Sequence, residues 1–225
     1  MHTAIWWLRR DLRRTDNQAL HAALARAERV VPVFVLDPTL MTSPYTGSKR
    51  LAFMLDGLRA LDEALCERGS RLIVREGAPL DALTQLVNET GAEAIFAEAD
   101  VSPYARERDA GVTAQLPLHL TEGLTVFPQE AVHKRDGGPY QVYTPYRRTW
   151  KRMPMPSATE ILPPPAAIPG LDSVTSLSIP DKPRLPDPIP FKAGEAEATR
   201  RLRAFRHNAI AHYADARDRV DLEGT

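Results

Sequence analysis

Apolar residues along this chain follow two periodicities. Runs in which nearly every position is apolar, at 3–8, 30–36 and 93–97, read as strands buried on both faces. Between them, apolar residues recur every three or four positions: Ala19, Leu20, Ala23, Leu24 and Ala27, then Leu51, Leu55, Leu58, Leu61 and Leu65. That spacing places each set on one face of a helix. Asp16 is the expected cap of the first helix, and the second runs from about Ser48 toward Gly69. Residues 71–75 read as a third strand, and 79–90 as a helix that ends near Gly91. Ser102-Pro103 is a helix start, a hydroxyl cap with proline at the first helical position. Residues 118–120 and 125–127 are expected to complete the sheet. The alternation predicts an α/β fold: an open parallel sheet of about five strands with helices on both faces.

Prolines then divide the chain. Eleven of its twenty lie between Met153 and Phe191. Proline lacks an amide donor and disfavours helix for its predecessor, so this stretch is expected to be an extended linker laid over a surface. The organisation that follows is an α/β domain at 1–150, a linker at 151–193, and a helical segment at 194–225. In that last segment Leu202, Phe205, Ala209 and Tyr213 form one stripe, and His207 and His212 read as ordinary residues of the same helix. A lone amphipathic helix cannot bury its own apolar face, so a further domain is its expected partner.

Composition narrows the function classes. A hydrophobic fraction of 43% with 26% charged residues is that of a soluble globular protein. The formal charge is zero, so no global field draws the chain to nucleic acid or membrane. No apolar run is long enough to span a bilayer, and the start lacks the pattern of a signal peptide. Cys66 is the single cysteine, which excludes an internal disulfide. A cytoplasmic protein without metal is the expectation.

In an open parallel sheet, ligands bind beyond the carboxyl ends of the strands, where connections diverge. The segments there are 8–11, 37–41 and 98–101. Arg9 or Arg10 suits an anionic or carbonyl-bearing ligand, because guanidinium donates paired hydrogen bonds. The same cluster also reads as a loop braced by ion pairs to Asp11 and Asp16. Asp100 suits a ring nitrogen or a sugar hydroxyl, or equally the cap of the helix near Pro103. Lys49 and Arg50 open a helix, and on spacing alone read as a solvated basic turn. Neither GxGxxG nor GxxxxGK[ST] is present, and the histidines show no metal-ligand spacing.

Several blocks in order carry a family resemblance. They are Trp6-Trp7-Leu8-Arg9-Arg10-Asp11-Leu12-Arg13-Arg14 with Asp16-Asn17-Gln18-Ala19-Leu20, then PVFVLDP at 32–38, DVSPYARERD at 100–109 and GPYQVYTPYRRTW at 138–150. GEAEATRRLRAF at 194–205 and the closing Glu223-Gly224-Thr225 continue the series. Together they resemble the N-terminal domain of DNA photolyases and cryptochromes. The resemblance implies a Rossmann-like domain that binds an antenna chromophore, cut before the helical domain that holds the catalytic FAD. It implies light-driven repair of pyrimidine dimers in damaged DNA, with the fragment itself not catalytic. The same domain in a cryptochrome photoreceptor, or a stand-alone nucleotide-binding regulatory protein, are the alternatives. Partners implied are damaged DNA through the absent domain and that domain itself, with no membrane. Antenna residues implied are Arg9, Leu36, Asp37, Met41, Lys49, Arg50 and Asp100. No histidine lies between Asp37 and Arg50, which favours 8-hydroxy-5-deazaflavin, then FMN or FAD, over methenyltetrahydrofolate.

Overall fold

The computed structural model describes residues 1–187 and 192–222, so Glu223-Gly224-Thr225 and linker residues 188–191 lie outside the described residues. Five parallel strands form one sheet: β1 (Thr3–Leu8), β2 (Arg29–Leu36), β3 (Ile73–Glu76), β4 (Ala94–Glu98) and β5 (Leu118–Thr121). Their order is β3-β2-β1-β4-β5. The connecting helices are α1 (Gln18–Arg26), α3 (Ser48–Cys66), α4 (Pro79–Thr90) and α5 (Pro103–Thr113), with a short α2 (Pro38–Met41) after β2.

Alternation along the buried strands divides the core. Ala4, Trp6 and Leu8 join Leu20 of α1 and Leu55, Leu58 and Leu65 of α3 in one cluster. Ile5 and Trp7 join Leu83 and Leu86 of α4 and Val112 of α5 in the other. The chain thus winds outward from β1 to β3, returns, and winds from β4 to β5 on the other side. The direction reverses between β1 and β4, and a crevice opens there.

Three details depart from the sequence expectations. Asn17, not Asp16, caps α1, accepting from Leu20 N at 2.8 Å. Asp16 stands at φ 54, its amide donating to Leu162 O at 2.8 Å, and so fastens the proline-rich stretch instead. Residues 125–127 form bends, not a strand, because the chain leaves the sheet after Thr121.

Among its described residues the proline-rich stretch carries one 3-10 turn, Ala158–Glu160, and is otherwise irregular. It is integral to the core. Ile168 is fully buried in the first cluster and Val174 is buried in the second. Leu177 N donates to Val74 O at 3.0 Å, and Val74 N to Ser176 Oγ at 2.9 Å, so the stretch shields the β3 edge.

Two further helices flank that stretch. The first, α6 (Tyr143–Trp150), precedes it, and α7 (Glu195–His207) follows it. The single helix expected to carry both histidines ends at His207, capped by Asn208, after which come a 3-10 turn, Ala209–His212, and α8 (Tyr213–Ala216). His207 and His212 therefore lie in different elements. Glu195 accepts from Arg14 N at 3.1 Å and Thr15 N at 2.9 Å, pinning the start of α7 to the β1–α1 loop.

Candidate functional site

Beyond the ends of β1 and β2 lies a cleft of about 320 Å³. Its apolar wall includes Trp7, Phe34 and Leu40, and its polar rim includes Arg9, Asp37, Asp100 and Arg108. α4 and α5 close the far side through Pro79 and Tyr104. A second lobe of about 490 Å³ adjoins it, sharing Asp37, Pro79, Tyr104 and Arg108. Both lobes have the size and mixed lining of a small-molecule site.

The polar side chains are held by one another. Arg9 Nη1 donates to both carboxylate oxygens of Asp109, at 2.6 and 2.7 Å, and its Nη2 to Glu98 O. Arg9 and Asp109 side chains are only 7% and 5% exposed. Burial pulls the Arg9 pKa below its ordinary value, against the raising effect of Asp109. Asp37 caps α2, accepting from Thr39 N at 3.0 Å, and also accepts from the Tyr104 hydroxyl. Burial and that bond to Asp37 raise the Tyr104 pKa. Asp100 accepts from Ser102 N at 3.0 Å and faces Arg10 at 3.5 Å. Burial pushes the Asp100 carboxyl up, but the Ser102 amide and Arg10 outweigh it and its pKa falls.

Arg108 differs. Its side chain is 10% exposed, its Nε donates to Asp109 at 2.9 Å, and its guanidinium stands 4.9 Å from the Trp7 ring and 5.7 Å from Tyr104. Its Nη2 is buried without a hydrogen-bond acceptor, although it lies 2.9 Å from Asp109 Oδ1. A buried guanidinium N–H with no acceptor is costly unless a ligand oxygen completes it.

The seven residues singled out from the sequence divide. Arg9, Asp37 and Asp100 meet at the cleft. Leu36 and Met41 pack in the α1/α3 cluster, and Leu40 takes the wall position instead. The turn of α2 decides which of the two neighbours faces the cleft. Lys49 and Arg50 line a separate groove between α3 and α7, with Arg10, Phe53 and Leu202. Arg108, Tyr104 and Trp7 were not singled out. The DVSPYARERD block carried two of them, and their i, i+4 spacing on one helix was the available signal.

At the crevice between β1 and β4, Glu98 is buried beside Asp11. Burial and the Asp11 carboxylate raise the Glu98 pKa to about 7. Asp11 is also raised, by burial, against the pull of Arg13. Asp11 Oδ2 has Arg13 Nε 3.1 Å away but no well-aligned hydrogen bond, and Glu98 Oε1 has none among the described residues. One proton shared by the pair meets that need.

Comparison with known proteins decides the family. The model of the DNA photolyase family matches residues 4–167. The chain belongs to that family. A deoxyribodipyrimidine photolyase of Thermus thermophilus is 38% identical over 97% of this chain and 48% of its own. An uncharacterised 31.6 kDa protein of Synechococcus sp. PCC 6716 is 35% identical over 98% of this chain and 81% of that protein. Among solved structures, a class III photolyase from Agrobacterium tumefaciens matches with a TM-score of 0.85 and 26% identity, over 96% of this chain and 47% of that one. A Sulfolobus tokodaii photolyase, described with two FAD molecules and a novel light-harvesting cofactor, matches at 0.66 and 27%, over 77% and 40%. Cryptochromes match as well. The chain spans about half the length of the photolyases it matches, and the five-stranded parallel sheet is that of their N-terminal domain. Among the described residues no helix is long and apolar enough to cross a membrane, and no cluster of metal-ligating side chains occurs.

Proposed function

We propose that this chain is the light-harvesting part of a deoxyribodipyrimidine photolyase and that the cleft between β1, β2, α4 and α5 holds its antenna chromophore. The observation that carries the reading is Arg108: Asp109 takes its Nε and lies 2.9 Å from its Nη2, while the guanidinium lines the cleft beside the Trp7 face with further N–H groups in need of an acceptor. A tricyclic ring with carbonyl oxygens fits that need, and Trp7, Phe34 and Leu40 give it an apolar bed. Asp37 and Asp100 keep acceptor capacity for the hydroxyls of a ribityl tail, which the second lobe has room to take. 8-Hydroxy-5-deazaflavin is the preferred occupant, with FMN or FAD next and methenyltetrahydrofolate third. Such a group, when bound, supplies absorption of near-ultraviolet or blue light and passes the excitation on. This chain's residues do the rest: they hold the ring, exclude water from it and fix its orientation.

The catalytic FAD, and the transfer of an electron to a pyrimidine dimer in DNA, belong on this reading to the half of those relatives that the chain does not span. Residues 151–193 are then the connection, 194–225 the first part of the flavin domain, and the cytoplasm the location. The same domain in a cryptochrome would keep the cleft and lose the repair.

The test is titration of the chain with 8-hydroxy-5-deazaflavin, FMN and methenyltetrahydrofolate, followed by absorbance and fluorescence. Saturable binding of the deazaflavin is expected, weakened about tenfold or more in Arg108→Ala, the scale for losing a charged hydrogen bond. Failure of all three to bind, or unchanged affinity in that variant, overturns the reading.

A further inference from the structure

Most arginines of this fold are spent internally. Arg9, Arg13, Arg14, Arg59, Arg75 and Arg108 each pair with a carboxylate. Arg106, Arg203 and Arg206 are exposed without such a pair among the described residues, but the densest unpaired set is in the α6 region. Arg147, Arg148, Lys151 and Arg152 are all exposed, and among the described residues none forms an ion pair or a side-chain hydrogen bond. No acidic residue occurs between Asp136 and Glu160, so the segment cannot neutralise itself.

The helix is also fixed in place. Trp150 packs edge-on against Phe127 at 5.3 Å, Tyr146 against Tyr140 at 6.3 Å, and the Tyr140 hydroxyl bonds Thr149 Oγ1 at 2.7 Å. With those residues anchoring it, Arg147 and Arg148 occupy the last turn of α6, and Lys151 and Arg152 follow in a turn closed by Lys151 N to Arg147 O and Arg152 N to Thr149 O, both 3.0 Å, so the four cations gather at one end of the helix. Tyr143, 72% exposed, lies one turn before Arg147. A cluster of four exposed cations, without ion pairs among the described residues and beside an exposed aromatic ring, complements backbone phosphates, and arginine suits phosphate by its planar fork.

We propose that α6 is a nucleic-acid contact surface, binding the backbone phosphates of duplex DNA without reading sequence. It is separate from the chromophore cleft, so either reading stands if the other fails. It also gives a chain of zero formal charge its own hold on DNA, through local concentration of charge rather than net charge.

The experiment is fluorescence anisotropy of a labelled duplex titrated with the 225-residue chain at several salt concentrations. Four neutralised phosphates give a log–log salt slope of about −3.6, so affinity should fall about a hundredfold between roughly 50 and 200 mM salt. The variant Arg147→Ala/Arg148→Ala/Lys151→Ala/Arg152→Ala should lose most binding and flatten the slope. Each single substitution should cut the slope by about one. Arg203→Ala/Arg206→Ala, which removes exposed cations from α7, should leave both nearly unchanged. Circular dichroism confirms that each variant is folded. No binding at the lowest salt, an α6 variant that binds like the parent, or equal losses from the α7 pair would overturn the proposal. So would salt-sensitive self-association of the chain through α6 that DNA fails to displace.

Discussion

Two concave regions flank the carboxyl ends of the strands, and they are built on opposite principles. The cleft under α4 and α5 is framed by buried charges locked together: Arg9 on Asp109, Asp37 on Tyr104 and Thr39, Asp100 on Ser102. The groove between α3 and α7 is larger, about 1100 Å³, apolar along its floor, and its cations Lys49 and Arg50 stay exposed at the rim. Buried ion pairs are costly to assemble and seldom retained for stability alone, so a cleft that keeps two on one carboxylate, Arg9 and Arg108 on Asp109, is set up for a specific shape. The ion pairs at the groove, Arg13 on Asp11 and Arg14 on Glu195, are more exposed than those of the cleft. The groove's apolar faces, with Leu202 65% exposed, have the character of a surface between parts of a larger molecule.

Asp109 offers the largest test of that contrast. Asp109→Ala leaves Arg9 and Arg108 buried without their carboxylate, so stability should fall by about 3–5 kcal/mol in urea unfolding. A loss under about 1 kcal/mol would show that the cleft is not held as described.

Next in size is Glu98. Its pKa is raised from 4.5 to about 7 in the folded chain, so the native state binds more protons than the unfolded chain between those values. Stability from this group is therefore full below pH 4.5 and lost as pH rises toward about 7. Allowing for solvent screening of a partly exposed pair, the effect is on the order of 2 kcal/mol. Glu98→Gln should flatten the dependence while still donating to Asp11. Thermal melts at mildly acidic and mildly alkaline pH compare the two, and parallel profiles would refute the shared proton.

The smallest expected effect lies in the groove. Lys49→Ala and Arg50→Ala should each change stability by less than about 0.5 kcal/mol and leave chromophore titrations unaltered. A tenfold loss of chromophore affinity in either would join groove and cleft into one site.

Much of this architecture was legible one residue at a time. Apolar runs and helical spacing marked β1, β2, β4, α3 and α4, because both faces of an inner strand must be apolar and one face of a covering helix must be. Ser102 capped α5 as its hydroxyl and the following proline required. Asp16 and Asn17, adjacent and both able to cap, were not separable by pattern. The linker's bond to Asp16, made across 146 residues, settled it.

Local pattern was enough for the strands, the succession of helices between them and the blocks that carry the family likeness, since each depends on neighbours along the chain. Which charges are free emerged only from folding. Arg9 and Arg147 look alike in sequence, yet one has its N–H groups filled by Asp109 and Glu98 while the other is exposed with no ion pair among the described residues. Whether a charge is spent depends on partners far away in the chain, and nearby residues hold no record of them.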